Sequence, residues 1–532
     1  MIIATRVSTA AAWLTALGVC LTPIIAAAGP SANKPRDFGT TGDPHAATTR
    51  ASIAASQSTN TTIINTPVCA AALDQFPPVA IPDGSGGTIV VWSDFRSGVD
   101  QDIFAQKMNA GGAPAWPEDG VSICRATGAQ TNPKVLSDGA GGAFIVWEDA
   151  RNGSTNVDIY AQRVNSMGIS QWTPGGVVVC SAANNQTQPV VGPNGLGGLL
   201  VAWIDQRGVD ADVYGQRLNA SGVPQWTANG VALCAAAGVQ GDPTVVSDGQ
   251  GGSIVAWRDE RSGVHIYAQR VNELGAVQWA ANGVALCLAT GTQEAPRAVG
   301  DGTGGAIVAW QDTRSGAGYD VYAQRVNGTG VAQWTTDGVA VSTAANDQKS
   351  PRLCTDGANG AVLVWEDHRG ADSDIYAQRL NGSGVPQWAA NGVAVCTAPD
   401  QQVTPAIAAD PLGGSVATWS DARSNATSGY DIYVQHLQPD GTSLWTANGV
   451  LVCNASGTQD SPVVVADGSG GAALAWRDYR NNYTDVFGQR VDSGGGVPSQ
   501  CVPPDTLVQD GPATITASQN YREFDQCSGG AL

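Results

Sequence analysis

Trp, Asp and Arg recur in this chain at i, i+2 and i+4, and this trio is the main candidate for chemistry. It is spelled out eight times, about every 54 residues. The first four copies are Trp92/Asp94/Arg96, Trp147/Asp149/Arg151, Trp203/Asp205/Arg207 and Trp257/Asp259/Arg261. The other four are Trp310/Asp312/Arg314, Trp365/Asp367/Arg369, Trp419/Asp421/Arg423 and Trp476/Asp478/Arg480. Side chains alternate along an extended strand, so all three members of a trio face the same way. A guanidinium beside a carboxylate forms a forked, charge-assisted pair, and an indole can pack beneath it. One use of the trio is to tie a turn and pack unit on unit, which eightfold repetition favours. The other is a ligand pocket on each unit, with Asp and Arg meeting hydroxyls while Trp stacks on an apolar sugar face. The eight Asp and eight Arg of the trios are therefore the candidate ligand-binding residues.

Signals for other chemistry are weak. The four histidines, His45, His265, His368 and His436, have no zinc-site spacing, and the Asp-rich turns do not match an EF-hand loop. No G-x-S-x-G signature occurs. An active site also needs residues that only one or two units supply. Departures from the repeat are modest: Glu148 and Glu366 after their Trp, the longer turn from Ser424 to Tyr430, and His368. A pair of such carboxylates could act on a glycosidic bond, but exposed turn residues are far commoner. No catalytic residue, metal ligand or cofactor is assigned.

The elements that position the trio are short strands. In the fourth unit the pattern predicts strands over Pro243–Asp248, Ser253–Asp259, His265–Asn272 and Val284–Cys287, parted by Gly-rich turns. Four strands per unit with no amphipathic helix exclude a (β/α)₈ barrel and fit a propeller blade better than a parallel β-helix. The Gln of D-[IV]-[YF]-x-Q, such as Gln106 and Gln216, is expected as a buried amide serving turn backbone. A second Trp, at Trp116 and its counterparts, is expected to pack the core. Cys69, Cys124, Cys180, Cys234, Cys287, Cys396 and Cys453 share one repeat position, where the fifth unit has Ser342. Neighbouring sheets lie too far apart for disulfides there, so separate buried thiols are expected. Cys354, Cys501 and Cys527 fall outside the pattern; Cys501 with Cys527 or with Cys69 is a further possible pairing.

The eighth unit lacks its fourth strand, and Thr66-Pro-Val-Cys69 supplies the end of a unit with nothing before it. The expected fold is thus all-β: an eight-bladed β-propeller with four-stranded blades, the last closed by the N-terminal strand. Residues 1–28 read as a signal peptide and 29–61 as a flexible leader; the propeller should span 62–501, and 502–532 a tail or the start of a further module. Outside the signal no stretch is long and apolar enough to span a membrane. The formal charge of −19 argues against a phosphate-binding surface, no Lys/Arg cluster offsets it, and no nucleic-acid partner is expected.

Within a unit, the order P-x-V-x-x-D-G, I-V-x-W-x-D-x-R and N-x-x-G-x-x-Q-W resembles a blade of the sialidase-like propellers. The likeness is distant: the turn Asn219-Ala-Ser-Gly222-Val-Pro-Gln-Trp226 has one residue more than that family's and lacks its Asp. Those enzymes are also six-bladed, and their arginine cluster, Tyr/Glu pair and acid have no assignable counterparts. From about Thr62 to Val491 the repeats G-G-x-I-V-x-W-x-D-x-R and D-I-Y-A-Q-R are similar to those of secreted bacterial proteins, a resemblance that implies a surface or extracellular component and brings no activity. The expectation is an exported, monomeric, non-catalytic module binding a protein or glycan ligand on a propeller face. The alternatives are a multivalent lectin and, more remotely, a sialidase-like glycoside hydrolase.

Overall fold

The structure, a computed structural model, describes residue 63 and residues 65–424 and 429–497. The expected signal peptide, leader and tail lie outside these residues, as do Cys501 and Cys527. Eight four-stranded antiparallel sheets form an eight-bladed β-propeller, with no helix among the described residues. Blade 1 is built from Val79–Pro82, Thr88–Asp94, Asp102–Met108 and Val121–Cys124, running from the axis outward. Blade 8 takes Gln459–Ala466, Ala472–Asp478 and Asp485–Val491 from the end of the chain and Thr66–Cys69 from its start. Thr66 pairs with Gly488 and Pro67 with Phe487, so the N-terminal strand closes the ring as its sequence requires.

The second strand of each blade packs against a neighbouring sheet on both faces, which is why it reads as an apolar run and not as an alternation. In blade 2, Ala143–Trp147 is wholly buried. The core sits between blades. Ile145 and Trp147 of blade 2 pack with Ile103, Trp116 and Ile123 of blade 1. The same contact crosses the closure, where Val68 and Val486 meet Val90, Trp92 and Phe104.

The second and fourth strands fall where the sequence predicts, and the third ends one residue earlier. The inner strand does not begin where predicted. In blade 4 it starts at Gln240, three residues before the expected Pro243, and ends at Ser247. A bulge accounts for the difference. Gln240 pairs with Asp259 and Gly241 with Arg258, but the next partners are Thr244 and Ala256. The extra residue, Asp242, takes φ = 52°. Blade 1 departs because Pro77 stands at that position: proline cannot adopt positive φ, so the ladder is interrupted between the Gln75–Asp94 bridge and Val79. The Gln-to-Asp pairing also places the inner-strand starts and the W-x-D-x-R turns on one face of the ring.

Candidate functional site

Each trio is a closed hydrogen-bonded cluster. Trp92 Nε1 donates to Asp94 Oδ2 at 2.7 Å, and the Arg96 guanidinium grips the same carboxylate through Nε (2.8 Å to Oδ1) and Nη2 (2.6 Å to Oδ2). The Arg96 backbone N–H donates to Oδ1 as well. The guanidinium carbon lies 3.8 Å from the centre of the Phe104 ring, on the third strand. The arrangement repeats in the other blades with Tyr or Phe as the platform, as in Arg207 over Tyr214 at 4.0 Å and Arg480 over Phe487 at 3.8 Å, except that in blade 5 the Arg314 side chain reaches Asp312 through Nη2 alone. The indole is therefore a hydrogen-bond donor to the carboxylate and not only the packing surface expected beneath the pair. The aromatic platform was not anticipated, although the [YF] of D-[IV]-[YF]-x-Q carried the signal.

All eight Asp carboxylates are completely buried. Burial opposes the charge of Asp259, but the Arg261 guanidinium and the Trp257 indole outweigh it and hold the carboxyl below its usual range. What remains accessible is the outer edge of each guanidinium, 25% exposed at Arg207. Arg96 Nη2 also donates to the carbonyl of Asp119, in the turn before the outer strand. In blade 8 that turn is replaced by the incoming N-terminal segment, and Arg480 donates to Asn65 Oδ1 at 3.1 Å.

Three further repeated contacts tie the ring together. Each repeat-position cysteine is a buried free thiol at the seam with the next blade: Cys124 Sγ lies 4.0 Å from Asp149 Oδ2 and 3.3 Å from Arg151 Nη2. The second Trp bridges the same way, Trp116 Nε1 donating to the Ser166 carbonyl of blade 2 at 3.1 Å. A Cβ on Gly168, whose φ is +77°, would stand 2.9 Å from that indole, so the turn there needs glycine. Within a blade, Gln106 accepts from the Lys107 and Trp116 N–H groups and donates to the Pro117 carbonyl, as a buried amide should. The three described histidines sit in separate blades: His265 meets Gln293, His436 meets Asp410, and His368 lies on a turn.

Glu148 and Glu366, the unusual carboxylates, serve the bulges of the next blade. Each accepts a backbone N–H at 2.7 Å, from Gln188 and Thr404 respectively. They belong to blades 2 and 6, four blades apart in an eight-bladed ring.

The central channel departs most from the repeat. The residue after the proline of Q-x-x-P occupies the same register in every inner strand: Val79 opposite Val91, Lys134 opposite Val146, Arg297 opposite Ala309 and Arg352 opposite Val364. Eight side chains are thereby brought to one level around the axis: Val79, Lys134, Val190, Thr244, Arg297, Arg352, Ala406 and Val463. Lys134, Arg297 and Arg352 line a single cavity of about 540 Å³ at the mouth on the trio face. At the opposite end the channel is mostly apolar, with Pro193, Val245, Ala298 and Val299 around about 610 Å³. The expectation that no Lys/Arg cluster exists is thereby corrected: Lys134, Arg297 and Arg352 are brought together in space although no run of basic residues announces them.

Burial, and then the charge of Arg297, push Arg352 down to about 10 against the pull of Glu366. Burial likewise lowers Arg297 against the pull of Asp242, and lowers Lys134, where the Glu148 charge opposes the shift and that of Arg297 adds to it. The rim above carries the seven bulge residues, Asn132, Gln188, Asp242, Ala295, Ser350, Thr404 and Ser461, all with φ between 51° and 54°. Left-handed backbone at residues other than glycine is uncommon and concentrates at functional sites.

No family model matches the chain, and no curated protein does. Among solved structures, a protein of unknown function from Dyadobacter fermentans is 10% identical, aligned over 80% of this chain and 97% of its own, with a TM-score of 0.38. A Hadza microbial sialidase is 13% identical over 64% of this chain and 74% of its own, with a TM-score of 0.35. An ulvan lyase of a polysaccharide lyase family is 13% identical over 71% of this chain and 96% of its own, with a TM-score of 0.42. Likeness at this level carries no activity across.

Proposed function

We propose that this propeller is a non-catalytic binding module, acting outside the cell or at its surface, that takes its ligand at the channel mouth on the face of the W-x-D-x-R turns. The observation that carries the reading is the composition of one ring level. Eight equivalent positions hold Val, Lys, Val, Thr, Arg, Arg, Ala and Val, and the first six of them line a cavity of about 540 Å³. A site that recognises one ligand needs such asymmetry, and a cavity of this size suits a small ligand or a chain end. The trio residues support the reading differently. With their carboxylates spent on indole, guanidinium and backbone, they hold the mouth in shape before a ligand arrives, which limits the ordering cost of binding.

A multivalent reading remains attached to the outer edges of the eight trio arginines, which are 17% exposed at Arg314 and 25% at Arg207. Repetition could turn eight weak contacts into useful avidity. The two readings differ in stoichiometry.

A glycan-array screen followed by calorimetric titration of any hit separates them. One site per chain, lost in a Val190→Trp variant that plugs the cavity, is the expected result. Several equivalent sites untouched by the plug would move the ligand to the trio turns. Chemical change of a bound glycan would make the module an enzyme.

A further inference from the structure

Among the described residues every lysine and arginine makes an ion pair except four: Lys134, Arg217, Arg297 and Arg352. Arg217 has a local explanation. Its counterparts, such as Arg163 and Arg270, pair with the Asp of the D-G turn, and Asn194 stands there in blade 3. The other three converge on one cavity.

Nearby carboxylates offset them only in part: Glu148 pulls on Lys134, Asp242 on Arg297 and Glu366 on Arg352, but none of these forms an ion pair with its cation. Asp242, the carboxylate lining the cavity, is held by Arg258 at 3.0 Å. Glu148 takes the Asn132 side-chain amide and the Gln188 N–H, and Glu366 takes the Thr404 N–H. The guanidiniums spend little on the protein: Arg297 donates to its neighbouring Pro296 carbonyl at 2.8 Å, and Arg352 to Pro351 at 3.3 Å. A guanidinium has five donors, so most of each fork still faces the cavity. Lys134 donates to Asn132 Oδ1.

Three half-buried cations without an ion-pair partner, Arg297 repelling both Lys134 and Arg352, are a cost to the fold, since a charge partly taken from water with no bonded counter-charge is destabilising. They stand, moreover, in a chain of net charge −19. We infer that the channel mouth is an oxyanion site: Arg297 and Arg352, with Lys134, receive the carboxylate, sulfate or phosphate groups of a small hydroxylated ligand. Forked guanidinium donors suit planar or tetrahedral oxyanions, and Asn132, Gln188 and Thr244 on the same wall can meet hydroxyls. This inference rests on the mouth being the binding site.

The test is calorimetric titration of the full chain with trigalacturonate, a sulfated disaccharide and inorganic phosphate, with neutral maltotriose as control. It is run on the wild type, on an Arg297→Gln/Arg352→Gln double variant and on the Val190→Trp plug. At least one anionic probe should bind with one-to-one stoichiometry, weaken at higher salt, and bind about tenfold or more weakly to the double variant. Which probe binds distinguishes carboxylate, sulfate and phosphate as the source. The melting temperature of the double variant should equal or exceed that of the wild type. A marked fall would show that the cations serve the fold, and would overturn the inference. So would the failure of every anionic probe, or binding undiminished in the double variant. Should the plug abolish binding of a ligand that the double variant retains, the mouth stands as the site and its anionic character falls. Binding that survives both variants removes both.

Discussion

Cys69 Sγ lies 3.7 Å from Asp94 Oδ2, joining the strand that completes the last blade to the trio of the first. The same contact, at 3.7 to 4.0 Å, joins Cys124 to Asp149, Cys180 to Asp205, Cys234 to Asp259 and Cys287 to Asp312. It recurs from Cys396 to Asp421 and from Cys453 to Asp478. The closure of the ring is therefore chemically the same as its internal seams.

The exception is Ser342, wholly buried at the seam facing Asp367, with a hydroxyl that finds no hydrogen-bond partner. Ser342→Cys should stabilise the protein by about 1 kcal/mol, because it replaces an unsatisfied buried hydroxyl with the group used at every other seam. Chemical denaturation would show it as a raised midpoint. An unchanged or lowered midpoint would mean that the thiol contact contributes nothing.

Arg207→Ala should cost about 3 kcal/mol or more, because it leaves the buried Asp205 carboxylate without its forked partner. Arg207→Lys should recover only part of this, since an ammonium cannot reproduce the fork or the stacking on Tyr214. Equal melting temperatures for the wild type and the alanine variant would sink the structural account of the trio.

The seam thiols should be inert in the native protein. Burial pushes Cys124 up to about 11, and Cys180, Cys234, Cys287, Cys396 and Cys453 up to about 12, so almost no thiolate exists at neutral pH. Alkylation mapped by mass spectrometry should leave these positions unmodified at pH 8 until denaturant is added. Rapid labelling at any of them in the folded state would contradict the buried seam.

Stability should peak in mild acid. Burial, with the Asp367 and Asp372 charges, raises Asp374 to about 6. A carboxyl that holds its proton more tightly when folded contributes its full stability below the unfolded value of about 4, and loses it as pH rises through 6. Burial also raises Asp102, Asp158, Asp212, Asp320 and Asp485. Asp83 behaves oppositely: burial works against its charge, but bonds from Ser85, Lys107 and Gly87 hold it near 2, so its contribution is lost as pH falls from about 4 toward 2. Melting temperature should rise from pH 8 to pH 5 and fall below pH 4. A flat profile from pH 8 to pH 5 would refute the first half, and Asp374→Asn should reduce that rise.

The blade count, the closing strand and the separate thiols are all legible in the chain, because each is a property of the repeat itself. Eight tryptophans at one spacing and one strand missing from one end leave few ways to build the ring. The inner-strand start is less legible. Asp242 and its counterparts break the period of two, and only the pairing of Gln240 with Asp259 shows that the strand continues through the bulge. The channel cations are hidden for a geometric reason. Lys134, Arg297 and Arg352 are far apart along the chain and stand where other units carry small or apolar residues. Each looks like a solitary departure until radial strands bring the positions together.

The bulge at the channel rim accepts Asn132, Gln188, Asp242, Ala295, Ser350 and Thr404 in one backbone conformation, their φ angles agreeing within 3°. Side-chain identity there is uncoupled from scaffold geometry. A ring assembled by duplicating a single unit can thus be given a new lining one letter at a time, while the seams that keep it closed remain identical. Architecture and channel lining are written in different columns of the same repeat, so a library varied only at the rim and the level beneath it would change the lining without revisiting the fold.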